Sequence, residues 1–438
     1  MTAATVRGWC PSLHEPMAAL DGLIVRVKPF VRGLSAADLQ SIAEAAERAG
    51  AGGLELTGRG ALQVRGLDDV GAATFARAMV EAGLASADAA VERRRNIQLG
   101  VGCGPELLSF AGALEAWLEQ DARLAALPAK FGFAVSPAGG MSADIALVGE
   151  DSISIGGEVA TGVGAAPPNS VFPGLVPGTH SATVQPPDGP QSSRHGPPEQ
   201  VRGRREGGSV AVLDAVQRLT RAFLKLAQRQ SAPPRRMKGL IQAVGLGAVL
   251  AEAGLAPAPP SSPPPRRPTV GLSQNGYGLG VVFGVLTPSA LRTVADLATR
   301  YGDGRILLAP GRAIWLHGVP SSAEARLAGE ASAAGFVVDP QDRRLRLDAC
   351  VGRAGCARAS EDVRTAALRL ASVAPETGLH VAGCAKGCAH PGAAGVTLVS
   401  RGAAGRYDLI LDGPPSFTPT RTDGTLDEIA EHLSEPAR

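Results

Sequence analysis

A segment that repeats itself 252 residues later constrains this chain more than any other feature. Starting at Ser35 and running without a gap, the shift sets Leu39 on Leu291, Ala43 on Ala295, Arg48 on Arg300, Gly50 on Gly302, Ala61 on Ala313 and Gly66 on Gly318. Turn glycines in register over two stretches are better explained by duplication than by two unrelated units of common type. Each copy reads strand, helix, strand, strand. In the first, an apparent strand at 23–27 is followed by Ser35, which caps a helix with Asp38 three residues on. Leu39, Ile42, Ala43 and Ala46 form the apolar stripe of that helix, and short strands at 54–56 and 62–64 flank the turn Gly58-Arg59-Gly60. In the second copy Thr287 is the cap, with Pro288 in the first turn; strands are expected at 306–308 and 314–316.

The last hundred residues hold the chemistry. Cys350 and Cys356 are separated by five residues, Cys384 and Cys388 by three, and 27 residues lie between the pairs. Four thiolates suit either a structural zinc or an iron–sulfur cube. The longer first gap and the glycines Gly352, Gly355, Gly383 and Gly387 favour a 4Fe-4S cluster, because glycine lets backbone amides approach a bulky group. Cys103 reads as structural.

Bulk properties permit an enzyme of several domains. The 438 residues are 45% hydrophobic with a formal net charge of +2, which gives no reason to expect nucleic acid or a membrane as partner. No apolar run reaches spanning length and no signal-peptide core opens the chain, so a cytoplasmic monomer is expected. Helices are expected at 105–120, 210–227 and 361–371, a strand hairpin at 143–155 and closing strands at 396–399 and 409–411. The stretch 165–208 is dense in proline, glycine and serine and has neither period, so it reads as an irregular insertion. The expected division is 1–90, 91–255 carrying that insertion, a proline-rich linker at 256–268, then 269–345 and 346–438.

The cysteine spacing, the Gly-Cys-x-x-x-Cys context and the duplication together resemble the sulfite and nitrite reductase superfamily. Gly383-Cys384-Ala385-Lys386-Gly387-Cys388-Ala389-His390-Pro391 is most similar to its precorrin-3B synthase branch, which acts on corrin precursors. The resemblance implies an α+β fold: two ferredoxin-like half-domains, each followed by an αβ lobe, about a pseudo-twofold axis with the ligand in the cleft. It implies a 4Fe-4S cluster on Cys350, Cys356, Cys384 and Cys388, and a mononuclear non-haem iron. The implied reaction converts precorrin-3A to precorrin-3B by hydroxylation and γ-lactone formation, using dioxygen and electrons that originate from NADH. Arg59 and Gln63, Arg95 and Asn96, and Lys130 fall in loops similar to those that hold a tetrapyrrole, and charge-assisted bonds suit its carboxylates. Arg312, one place out of register with Arg59, and Lys386 are further candidates for substrate binding.

A sirohaem-dependent sulfite or nitrite reductase is the alternative within the superfamily. Those reductases carry a second lysine two residues beyond the position of Lys130, and here Gly132 stands there. A bare electron carrier is a third reading, which the basic loop residues disfavour. No pair of histidines with a carboxylate is legible for a second iron among His14, His180, His195, His317, His380, His390 and His432. His390 and Cys10 are the candidates by position. No Gly-x-Gly-x-x-Gly opens a helix after a strand, so electrons are expected from a separate reductase or ferredoxin.

Overall fold

The computed structural model describes residues 10–138, 141, 143–150, 152–156, 202–256, 269–273, 276–402 and 405–434. Two five-stranded sheets, one per copy of the repeat, form its centre. The first has Met17–Ala19, Gly22–Val27, Leu62–Leu67 and Gly53–Leu56 in spatial order, and its fifth strand, Val285–Leu286, comes from the other copy. The second has Gly271–Ser273, Gly276–Gly280, Ala313–His317 and Arg305–Ala309, and is completed by Leu34–Ser35 from the first copy. The exchange is reciprocal in register: Leu286 pairs with Leu54, and Leu34 with Ile306. Each sheet therefore closes one edge with the strand that leads into the partner's helix.

The helices behave as their sequences dictate. Ala36–Arg48 begins on a complete capping box between Ser35 and Asp38, and Pro288–Tyr301 begins on Thr287, whose hydroxyl accepts from the Ala290 amide. Their apolar stripes face each other, so that Leu39, Ile42, Leu291 and Val294 are buried in one core shared by both half-domains. The hairpin turns also meet. Gly311 donates its amide to the Gly58 carbonyl at 3.0 Å, and Gly60 lies so close to the Leu308 carbonyl that an added Cβ would stand 2.2 Å from that oxygen.

Both lobes are built on one plan. In the first, Ile97–Leu99, Phe133–Ser136 and Ile145–Val148 run parallel and Ser152–Ile155 returns antiparallel, which is the expected hairpin. In the second, Leu347–Ala349, Leu379–Ala382 and Ala394–Ser400 are parallel, followed by antiparallel Arg406–Gly413 and Arg421–Thr425. The first lobe packs its core against the outer face of the second half-domain's sheet, through Leu307, Ala309, Ala313 and Trp315. The second lobe reaches the first half-domain's sheet instead through charge. Arg65 holds Asp21 by two bonds of 3.0 Å and lies 3.7 Å from Glu55, which also takes Arg364 from the lobe.

Three expectations change. Residues 202–208, read as irregular insertion, begin the helix Arg202–Gln228, eight residues before the expected start, because that turn carries no apolar stripe to betray it. The rest of the insertion and residues 257–268 of the expected linker lie outside the described residues. Two short helices, Met237–Val244 and Leu246–Ala253, were not anticipated, and a fifth strand and the helix Leu426–Ser434 close the last lobe.

Candidate functional site

Six cations converge on a cleft of about 320 Å³ between the first half-domain and the first lobe. Arg26, Lys28, Arg59, Arg93, Lys130 and Arg236 line it, and no carboxylate does. Arg93 and Arg236 have ion partners, Glu15 at 3.2 Å and the buried Asp144 at 2.9 Å. Arg26, Lys28, Arg59 and Lys130 form no ion pair among the described residues, so their charge is open to a ligand. Arg26 lies against the Cys10 thiol, which also lines the cleft, and its Nε is buried without a partner. Lys28 donates to the backbone carbonyls of Glu92 and of Arg93, the latter at 3.0 Å. Burial lowers its ammonium to about 8 despite the pull of Glu92, so it holds its proton weakly.

Of the expected ligand-binding residues, Arg59, Asn96 and Lys130 do line this cleft. Sequence reasoning missed Arg26, Lys28, Arg93 and Arg236, which sit in strands and turns where a cation looks like an ordinary solvated residue. Gln63 stays just outside the cleft: on the sheet it lies opposite Arg26 on one side and Glu55 on the other, on the same face. Arg95 is a correction. It is 1% exposed, paired with Glu92 at 2.9 Å and Glu115 at 3.2 Å, and stacked over Phe30 at 3.8 Å. Its other bonds go to the carbonyls of Lys28 and Pro29, so it fixes the segment that carries the cleft cations rather than meeting a ligand. Arg312 is a second correction. It does not line the cleft; its Nη1 meets Asp348 of the second lobe at 2.5 Å.

Gly132 is closed to any side chain. A Cβ there would stand 2.7 Å from Asn96 Nδ2, which donates to the Phe131 carbonyl at 3.0 Å. The Gly132 amide itself donates to Asp144 at 2.9 Å. Asn96 thus occupies the space that a lysine at 132 would need.

The four cysteines gather at the C-terminal ends of the parallel strands in the second lobe. Cys350 follows Leu347–Ala349, and Cys384 follows Leu379–Ala382. The two loops touch: a Cβ on Gly383 would lie 3.5 Å from Cys350 Sγ. Burial raises the Cys388 thiol; Lys386 lowers it and the thiols of Cys384, Cys350 and Cys356 raise it further, which places all four in one electrostatic neighbourhood. Among the described residues no three His, Cys, Asp or Glu side chains close on a single ion. Four thiols on two touching loops are a donor set that a 4Fe-4S cluster or a zinc ion can take. Lys386 is exposed between the second pair.

The two candidates for a second iron lie in different surroundings. His390 spends one ring nitrogen on Asp348 at 3.1 Å and the other on the Ala393 carbonyl at 3.1 Å, while Cys10 lies in the cation cleft. His180 and His195 lie outside the described residues. Cys103 is structural as read: its thiol bonds the Gly100 carbonyl at 3.2 Å and burial pushes it up to about 12.

The cleft and the cysteine loops share one sheet face. Ala61 lines the cleft, and Arg65, four residues along the same edge-to-edge strand, meets Gly355 between the first two cysteines, where a Cβ would lie 2.7 Å from its guanidinium. At the rise of an extended chain that separation is roughly 13 Å.

Comparison with known proteins agrees with this architecture. The nitrite/sulfite reductase ferredoxin-like half domain matches residues 16–82 and 272–333, the two copies of the repeat. A precorrin-3B synthase from Sinorhizobium sp is 28% identical over 95% of this chain and 85% of its own length. The NirA protein of Mycobacterium tuberculosis shares the fold, with a TM-score of 0.66 over 94% of this chain and 79% of that one, at 18% identity. The fold is α+β with duplicated ferredoxin-like halves of the sulfite and nitrite reductase type.

Proposed function

We propose that this chain, an oxidoreductase with two nitrite/sulfite reductase ferredoxin-like half domains, converts precorrin-3A to precorrin-3B in aerobic cobalamin biosynthesis. The observation that carries the reading is the cleft with four cations that form no ion pair among the described residues and no carboxylate in its described lining, in a chain similar to a precorrin-3B synthase along nearly its whole length. A tetrapyrrole rich in acetate and propionate side chains supplies the anions such a cleft lacks. Arg59 from the half-domain and Lys130 from the lobe hold carboxylates, Arg26 and Lys28 receive another, and Asn96 offers an amide. Lys28, which holds its proton weakly, is suited to exchange a proton with a bound carboxylate.

When bound, a 4Fe-4S cluster on Cys350, Cys356, Cys384 and Cys388 supplies single electrons. The reaction balances with one oxygen atom of dioxygen entering the substrate as hydroxyl, the other leaving as water, and two electrons coming from NADH through a separate reductase or ferredoxin. An acetate carboxyl then closes the γ-lactone by adding across a neighbouring ring double bond. Its oxygen bonds one carbon while the π electrons take up a proton, so closure needs no further oxidant. No step is assigned to a mononuclear iron.

Protein purified without oxygen should show a broad iron–sulfur shoulder and no porphyrin-type bands. With precorrin-3A, dioxygen and a reducing system, it should yield a product bearing one added oxygen from dioxygen by isotope-resolved mass spectrometry. Intense sirohaem bands with sulfite or nitrite turnover would sink this reading in favour of the anion reductases, whose fold the chain shares.

A further inference from the structure

The second lobe contains a polar row, half-buried at Asp348 and buried at His380 and Thr397, that the proposed reaction does not use. Asp348, His380 and Thr397 are opposite one another on three adjacent parallel strands and so lie on one face of the sheet. His380 is 0% exposed and neither ring nitrogen has a partner among the described residues. Its ring lies 5.9 Å from that of His390. Asp348 uses both oxygens, one for Arg312 at 2.5 Å and the other for His390 at 3.1 Å. The places of these residues in the chain give the contacts their meaning. Asp348 stands two residues before Cys350 and His390 two after Cys388, so one carboxylate ties the first cysteine pair to the second. The third partner belongs to another domain. Arg312 sits in the hairpin turn of the second half-domain with a left-handed backbone, φ 60°, a conformation that costs a non-glycine residue free energy and persists where the surroundings hold it.

We propose that Asp348 is a positioning residue of the cysteine site: clamped between Arg312 and His390, it holds the two cysteine loops together and fixes a compensated charge pair beside the cluster. The inference rests on the reading that these cysteines carry a 4Fe-4S cluster. Groups next to metal ligands orient them and tune the metal, and a fixed charge close to a cluster moves its reduction potential. The carboxylate opposes reduction and the guanidinium favours it. Their separate removal therefore acts with opposite sign, which loss of general packing would not do.

The test uses the full-length chain loaded with its cluster and purified without oxygen, as wild type, Asp348→Asn, Arg312→Met and Arg312→Lys. Three quantities are measured: the rate of iron loss to a chelator, the midpoint potential followed by electron paramagnetic resonance, and thermal unfolding as a control. Asp348→Asn should lose iron about 10-fold faster and shift the potential of the remaining cluster upward. Arg312→Met should shift it downward, and Arg312→Lys should return it toward wild type. If Asp348→Asn does not fold, the two Arg312 variants, in a different domain, decide alone. Wild-type potential and iron retention in every folded variant would overturn the clamp. A wild-type chain that binds neither iron nor sulfide would instead overturn the cluster reading, and the clamp would fall with it.

Discussion

The two lobes share a sheet plan and differ in which edge they turn to use. In the first lobe the residues that face the cleft, Asn96 and Lys130, stand before the strands Ile97–Leu99 and Phe133–Ser136. In the second, the cysteines stand after the matching strands. The C-terminal edge of the first lobe is filled instead: a Cβ on Gly100 would lie 2.5 Å from Ser136 Oγ, and the Cys103 thiol is tied to the Gly100 carbonyl. The middles of the sheets differ as well. Where the second lobe has the row Asp348, His380, Thr397, the register of the first has Gln98, Ala134, Ala146. One scaffold thus presents cations from one copy and thiols from the other, because loops and edges carry function while the sheet core carries stability.

The sharpest way to break this comparison is to move the cysteines. Cys350→Ser or Cys384→Ser should abolish binding of iron and acid-labile sulfide, whereas Cys103→Ser should leave both unchanged in elemental analysis. Equal loss from all three variants would mean that the lobes are not divided as described.

Next in size is the polar row. Burial, with His390 and Arg312 adding to it and Asp348 opposing, lowers the His380 imidazolium from 6.5 to about 4. The folded state therefore prefers the neutral ring, so its contribution is intact above pH 6.5 and is lost as pH falls from 6.5 toward 4. The loss amounts to about 3 kcal/mol. Urea midpoints measured across that window should fall for the wild type and fall less for His380→Met; parallel curves would remove His380 as the cause.

The cleft side follows. Arg59→Ala or Lys130→Ala should weaken binding of a tetrapyrrole polycarboxylate by about 1.5–3 kcal/mol, roughly 10- to 100-fold. Arg312→Ala, its counterpart on the other side of the pseudo-twofold, should leave that affinity alone. Fluorescence titration separates the two, and an equal effect from Arg312 would mean that the ligand reaches beyond the cleft to Arg312.

Gly132→Ala should cost about 1–3 kcal/mol by crowding Asn96. Adding Asn96→Gly to it should recover much of that, and a melting temperature unaffected by the first change would mean that the space is not contested. The smallest effects compare the half-domains themselves. Ser35→Ala and Thr287→Ala each remove an N-cap bond and should each cost about 1 kcal/mol in denaturant unfolding.

Much of the fold was legible because its signals are local. Both caps, both apolar stripes and the hairpin turns fall where periodicity and turn chemistry put them, and the offset between copies survives as a gapless match. The helix beginning at Arg202 was missed because its first turns lack an apolar stripe. In the site, the cysteines declare themselves by spacing, and Arg59, Asn96 and Lys130 by the context of their loops. Arg95 misled because a buried arginine with two carboxylate partners has the same sequence signature as one that binds a ligand.

Sequence alone determined the duplication, the elements of each copy and the four-cysteine motif, because hydrophobic period, capping and ligand spacing are written within a few turns of chain. Only the tertiary structure decided that the copies exchange strands, that Arg59 lines the cleft while Arg312 pairs with Asp348, that Gly132 is filled by Asn96, and that one carboxylate joins the two cysteine loops. Those are contacts between residues up to hundreds of positions apart, and their partners are chosen by packing and charge neutralisation across domains, which no local pattern encodes.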